Sequence, residues 1–124
     1  MRNMFDGCTS FNCDLSQWDV SQVTNMRCMF CHCYKFNGDL SGWDVSKVTT
    51  MHGMYDGCSK FNSDLSGWDV SKVTNMDYMF WGCIEFNSDL SEWDVSVVVT
   101  IMRNMFEGCT MVKLPVWYKK LYYQ

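Results

Sequence analysis

The sequence predicts an α/β protein, a right-handed solenoid of about four to five 25-residue repeats with a parallel sheet on one side and short helices on the other. Three observations lead there. The phrase "FNSDLSGWDVSKVTNM" from Phe61 has near copies that begin at Phe11, Phe36 and Phe86. Each copy alternates apolar and polar residues, and then spaces apolar residues by three and four. A fixed period of this length is typical of stacked repeats, whose crossovers between parallel strands are right-handed.

The repeats are expected to share one hydrophobic core, because 25 residues cannot bury a core of their own. We assign residues 1–112 to the repeats and residues 113–124 to a divergent cap or tail. The chain begins in the middle of a repeat, since its first residues "MRNMFDGC" match "MRNMFEGC" at Met102–Cys109.

The strand of each repeat is predicted from alternation. Trp68 and Val70 are apolar and flank Asp69, which is the pattern of a strand with one buried face. The same pattern recurs at the period of the repeat. It predicts parallel strands near Leu15–Val20, Leu40–Val45, Leu65–Val70 and Leu90–Val95.

A short helix is predicted after each strand. Met76, Met79 and Phe80 are spaced by three and four, as on one face of a helical turn. Gly82 follows where a helix would end, and Asp64 lies where the chain must turn back to the next strand. One repeat therefore reads as strand, bend, short helix and turn.

The unit "WDVSKVTNMDYMFWGCIEFNSDLS" (Trp68–Ser91) resembles the 25-residue repeat of BspA-like leucine-rich repeat surface proteins, a repeat also found in bacterial surface lipoproteins, giant viruses and protists. The resemblance spans Met1 to about Cys109. It implies a leucine-rich-repeat-like solenoid on surface or adhesion proteins, and it implies no catalytic residues. The chain departs from the pattern at one extra residue within "SVVVTIM" and in the tail "MVKLPVWYKKLYYQ".

Composition argues against several classes of protein. Residues 1–112 hold all fourteen acidic residues against seven Lys and Arg, which disfavours nucleic acid as a partner. No apolar run approaches the roughly 18 residues that a membrane span needs. The sequence shows no signal peptide and no lipidation site, so its location stays open although the resemblance suggests the cell surface. No catalytic motif appears, and we predict that the protein is not an enzyme.

The candidate binding residues are a row of aspartates on the open face of the predicted sheet: Asp19, Asp44, Asp69 and Asp94. They alternate with buried positions and therefore point outward. Such a row could hold a cationic ligand or Ca²⁺ between repeats, or it could be a solvated acidic face. A second row, at the turn, is expected to accept backbone N–H groups: Asp14, Asp39, Asp64 and Asp89.

The cysteines divide into a repeated ladder and three extra residues. The ladder is expected to consist of reduced, buried thiols: Cys8, Cys33, Cys58, Cys83 and Cys109. "CMFCH" (Cys28–His32) spells a haem-attachment motif, and with Cys33 it forms a set that could bind zinc. Met29 and Phe30 inside it are ordinary repeat residues, so the sequence predicts no metal and no cofactor. The repeated tryptophans and methionines are expected to be core residues rather than ligands.

Two functions remain after these exclusions. The first is a non-catalytic repeat scaffold for protein–protein or cell-surface binding, with an unidentified ligand. It is favoured because outward positions vary between repeats while inward positions do not. The alternative is a structural spacer, or a fragment of a longer repeat protein, with no ligand of its own. The oligomeric state stays open.

Overall fold

The computed structural model describes residues 1–95, 100–110 and 114–122. Within these residues, the one helix is α1, Val116–Tyr122, and no helix has the length and apolar character of a membrane span. The described β-structure consists of isolated parallel bridges: Asn25 with Thr50, Thr50 with Asn75, and Asn75 with Ile101. The predicted α/β solenoid with a parallel sheet and short helices is therefore wrong. The chain is a stack of 25-residue coils built from turns.

The predicted strands fail because local hydrogen bonds fold the backbone back. In the stretch predicted as the strand Leu65–Val70, the Trp68 N–H donates to the Leu65 carbonyl at 3.1 Å, which closes a turn. Asp64 Oδ1 accepts the Ser66 N–H at 2.9 Å and fixes the chain just before it. Such side-chain acceptors offer the backbone an alternative to a ladder. The stretches Leu15–Val20, Leu40–Val45 and Leu90–Val95 carry the same turn and likewise contain no strand.

The predicted helices do not form because every second N–H group in these stretches donates to a carbonyl of the next coil. We call residues 1–9, 26–34, 51–59, 76–84 and 102–110 the turn segments. In one of them, the Tyr55 N–H donates to the Met79 carbonyl of the next coil at 2.9 Å. Its neighbour, the Met54 N–H, donates back to Met51 at 3.1 Å. An α-helix needs every N–H to bond four residues back, so this alternation excludes it.

Left-handed backbone conformations produce the alternation. Every turn segment has two residues with positive φ, four positions apart, such as Gly53 and Gly57 with φ of 61° and 77°. Such residues end helices after a single turn. Each segment therefore coils tightly while it presents N–H groups to the next coil along the chain.

Inward side chains form columns, by which we mean the residues at one position in successive coils. Phe30, Tyr55 and Phe80 stack with ring centroids 5.7 and 5.6 Å apart. A second aromatic column places Phe36, Phe61 and Phe86 at 5.9 Å intervals. The rings of the two columns also contact each other, so the core is one continuous stack along the whole array.

Indole N–H groups and thiols of the core donate hydrogen bonds to carbonyl groups of the preceding coil. The buried Trp68 is 4% exposed, which confirms its predicted core position, and its indole Nε1–H donates to the Leu40 carbonyl at 3.0 Å. Four ladder cysteines make the same kind of contact, as in the buried Cys58 thiol, which donates to the Phe30 carbonyl at 2.9 Å; Cys8, predicted to be buried, is exposed. The Trp68 and Cys58 contacts each join residues 28 apart and therefore tie neighbouring coils together.

The C-terminal helix covers the last coil with a tryptophan that makes the same contacts as the tryptophans of the repeats. Trp117 of α1 stacks on Trp93 with a centroid distance of 6.3 Å, and its Nε1–H donates to the Leu90 carbonyl at 3.0 Å. Trp93 makes the same bond to Leu65 in the coil before. Residues 113–124 were predicted as a cap or tail, and the boundary at residues 112–113 lies outside the described residues. Trp117 therefore extends the column of repeat tryptophans into α1.

One substitution in the core should raise stability. Tyr55 is the one tyrosine in a column whose other members are phenylalanines, and its fully buried hydroxyl has no hydrogen-bond partner among the described residues. A buried hydroxyl without a partner carries an uncompensated desolvation cost. We expect Tyr55→Phe to raise the free energy of unfolding by about 1–2 kcal/mol in urea denaturation. A loss of stability would show that the hydroxyl does find a partner.

Candidate functional site

The predicted aspartate row lies on the surface, and each hydrogen bond that its described residues accept comes from a nearby serine. Asp69 is exposed, and its Oδ1 accepts the Ser71 N–H at 3.0 Å and the Ser71 hydroxyl at 2.6 Å. Asp19 and Asp44 make the same pair of bonds to Ser21 and Ser46. The exposed Asp94 belongs to the row by position, and its expected partner Ser96 lies outside the described residues. These carboxylates therefore fix turns of the coil.

The turn row behaves as the sequence predicts. Asp14, Asp39, Asp64 and Asp89 each accept the backbone N–H of the serine two residues on, at 2.9–3.0 Å. Hydrogen bonds from Ser41 lower the pKa of Asp39, while the neighbouring Asp14 and Asp64 carboxylates oppose that shift. The pKa values of Asp19, Asp44 and Asp69 are lowered in the same way, chiefly by the serine hydroxyls.

These shifts predict acid-labile stability. A carboxylate whose pKa is lower in the folded state stabilises the fold above its unfolded pKa, here 3.8, and loses that contribution as the pH falls below it. Asp56 opposes the trend because burial raises its pKa, but it is one group against six. Urea midpoints should therefore fall below about pH 4. Ser71→Ala should raise the pKa of Asp69 in a carboxyl NMR titration; an unchanged pKa would contradict this account.

Outward side chains of the turn segments differ from coil to coil, unlike the inward columns. We call this surface the turn face. Three of its columns, given in chain order, are Asn3, Cys28, Gly53, Tyr78 and Asn104; Asp6, Cys31, Asp56, Trp81 and Glu107; and Thr9, Tyr34, Ser59, Ile84 and Thr110. Cys31 and Gly53 are buried members of these columns. Three large apolar side chains of one segment are exposed there: Tyr78, Trp81 and Ile84, by 37%, 43% and 54%.

An ion pair that the sequence did not reveal connects two turn segments. The carboxylate of Asp77 is buried, and its Oδ2 accepts hydrogen bonds from Arg103 Nε at 3.1 Å and Nη2 at 2.8 Å. The Arg103 backbone N–H donates to Asp77 Oδ1 at 2.6 Å. These two positions belong to one column, so aligning the repeats would have placed them together. The pair fixes the last turn segment on the one before it.

The unusual residues of the second turn segment lie close together. Cys31 is buried, and its Sγ is 3.5 Å from His32 Nδ1. Asp6, one repeat upstream, places its Oδ1 3.8 Å from that nitrogen. Cys28, three residues before Cys31, lies outside the group of ligand atoms that are within 4.8 Å of one another. Cys33, which the sequence grouped with them, lies in the core instead and donates to the Phe5 carbonyl at 3.0 Å.

Electrostatics around these thiols disfavour the free thiolate. Burial raises the pKa of Cys31, and the nearby Cys28, Asp56 and Asp6 raise it further. Burial likewise raises the pKa of Cys28, although the guanidinium of Arg27 acts in the opposite direction. The thiols are therefore protonated at neutral pH in the absence of a cation.

Comparison with known families decides the relationship of this chain. Residues 1–117 match the family described as "Mycoplasma protein of unknown function, DUF285". The chain belongs to the DUF285 family. The match covers all five turn segments of this DUF285 member and reaches Trp117. Neither the curated proteins nor the solved structures gave a match.

Proposed function

We propose that this DUF285 member is a non-catalytic repeat scaffold that binds a protein or cell-surface ligand through its turn face. One observation carries the proposal: constant inward columns hold a backbone on which the outward residues change from coil to coil. A rigid array with a varied surface suits recognition by an extended contact. The resemblance of its repeats to those of BspA-like surface proteins supports a cell-surface setting.

The exposed apolar side chains favour the turn face as the contact. Tyr78, Trp81 and Ile84 lie three residues apart on one segment, and aromatic residues are enriched where proteins bind each other. The acidic row, with Asp19, Asp44, Asp69 and Asp94, is the alternative contact, suited to a cationic ligand. Its described carboxylates already serve the fold through their serine bonds, and we therefore place the turn face first.

The test is to capture partners from cell-surface extracts on the immobilised chain and to compare two variants. Trp81→Asp introduces the residue that the same column has at Asp56, so the coil should fold as before. The matched control is the double variant Asp44→Asn and Asp69→Asn, which keeps the Oδ1 acceptors. Loss of at least about tenfold in affinity is expected for Trp81→Asp, since a central aromatic contact contributes 2 kcal/mol or more.

Two results would contradict this assignment. A partner whose binding is lost only in the aspartate double variant would move the contact to the acidic row. A chain that captures nothing reproducibly would favour the structural spacer.

A further inference from the structure

We infer that Asp6, Cys31 and His32 form a Zn²⁺ site, with Cys28 as the fourth ligand, which joins the first two coils. The inference does not depend on the proposed binding function. It rests on one fact about the described residues: Asp6, Cys31 and His32 bring an oxygen, a sulfur and a nitrogen within 4.8 Å of one another. Cysteine, histidine and aspartate are the ligand types that zinc takes in proteins.

The spacing between the atoms fits tetrahedral zinc. With Zn–S of about 2.3 Å and Zn–N of about 2.0 Å, tetrahedral geometry places the two ligand atoms about 3.5 Å apart. Cys31 Sγ is 3.5 Å from His32 Nδ1 and 4.0 Å from Nε2, so the sulfur lies beside the ring, and the partly exposed imidazole must rotate to direct Nδ1 at the ion. The oxygen and nitrogen ligands would need about 3.3 Å by the same geometry, and Asp6 Oδ1 is 3.8 Å from His32 Nδ1. Both side chains are partly exposed, at 41% and 49%, and can close this difference.

Cys28 is placed to complete the set. It precedes Cys31 by three residues, the short C-x₂-C spacing of structural zinc sites, and a rotation of its side chain would bring its Sγ to the ion, since this atom lies outside the group of three that are within 4.8 Å of one another. A methyl group added at Gly53, in the coil below, would lie 3.1 Å from Cys28 Sγ. Glycine at that position therefore leaves the thiol its space.

His32 occupies a position that the fold otherwise gives to glycine. The other members of its column are Gly7, Gly57, Gly82 and Gly108, and its own φ is 61°. A non-glycine residue is strained in this left-handed conformation because its Cβ lies too close to the following carbonyl oxygen. A methyl group added at Gly57 would lie 3.0 Å from His32 Cδ2, so glycine below also makes room for the ring. A bound ion would explain why this coil has a strained histidine where the other four coils have glycine.

The surrounding charges favour a cation. Asp56 lies one repeat after Cys31, and its Oδ1 is buried without a hydrogen-bond partner among the described residues. With Asp6 it provides two carboxylates, against the single guanidinium of Arg27.

The experiment measures Zn²⁺ binding to the reduced, chelator-treated chain by competition with a chromophoric chelator, and repeats it with Co²⁺ to record thiolate-to-metal absorption. His32→Gly and Cys28→Gly restore residues that the columns use elsewhere, and Cys31→Ser removes the thiol without adding a carboxylate. Cys13→Ser is the matched control, because Cys13 is exposed and its column has serine at Ser63 and Ser88.

We expect one Zn²⁺ per chain, a higher unfolding temperature with Zn²⁺, and losses of affinity of at least about tenfold for His32→Gly and Cys31→Ser. His32→Gly should leave the metal-free chain equally or more stable, since glycine accepts its φ, so that lost binding is not lost folding. Cys13→Ser should bind like the parent. Binding that survives both His32→Gly and Cys31→Ser would overturn the site, and unchanged affinity in Cys28→Gly would overturn the fourth ligand.

Discussion

Trp68→Ala should lower the free energy of unfolding by about 3–5 kcal/mol, the range for truncating a core aromatic residue. The ring is 4% exposed, and its Nε1–H bonds the Leu40 carbonyl of the preceding coil at 3.0 Å. The substitution thus opens a cavity and also removes the donor of a buried carbonyl. Urea denaturation followed by circular dichroism gives the change.

Trp18→Ala provides the control for Trp68→Ala. Trp18 holds the same position in the first described coil, where it is 37% exposed. Truncating it should therefore cost less than half as much as truncating Trp68. Equal losses at the two positions would show that burial between coils does not determine the contribution of the tryptophans.

Trp117→Ala should lower the free energy of unfolding by about 2–3 kcal/mol. This loss is smaller than that for truncating a fully buried tryptophan because the Trp117 ring is half-buried. The substitution should also cause self-association, since terminal caps protect the open end of a repeat array. Removing the ring uncovers Trp93 and leaves the Leu90 carbonyl without its donor. Urea denaturation and sedimentation velocity measure the two effects.

Val116→Ala is the matched control for the cap, because Val116 precedes Trp117 in α1 and is 59% exposed. It should leave both stability and oligomeric state nearly unchanged. If Trp117→Ala also left both unchanged, α1 would not cap the array.

The period and the core could be predicted from the sequence, but the backbone could not. The column of Trp43, Trp68 and Trp93 is buried, as their 25-residue spacing predicts. The alternation of Trp68, Asp69 and Val70 suggested a strand, because it reports which side chains are buried and not how the backbone turns. Hydrogen bonds from Ser66 and Ser71 to the preceding aspartates bend the chain there, and two such short polar contacts outweigh the propensity of the apolar residues between them.

The same limit applies to the cysteine cluster. The sequence grouped Cys28, Cys31 and His32 with Cys33, which are neighbours along the chain, but the inward turn of the backbone takes Cys33 into the core. Asp6 was missed because it comes from another repeat. Its signal was present, since Asp6 and Cys31 are 25 residues apart and therefore belong to one column.

The alternating hydrogen bonds of the turn segments define this fold, and NMR scalar couplings across hydrogen bonds test them directly. We expect couplings from the amide nitrogen of Tyr55 to the carbonyl carbon of Met79, and from the amide nitrogen of Phe80 to the carbonyl carbon of Met105. Couplings from Phe80 to Met76, four residues back, would instead show a helix and contradict the stacked coils.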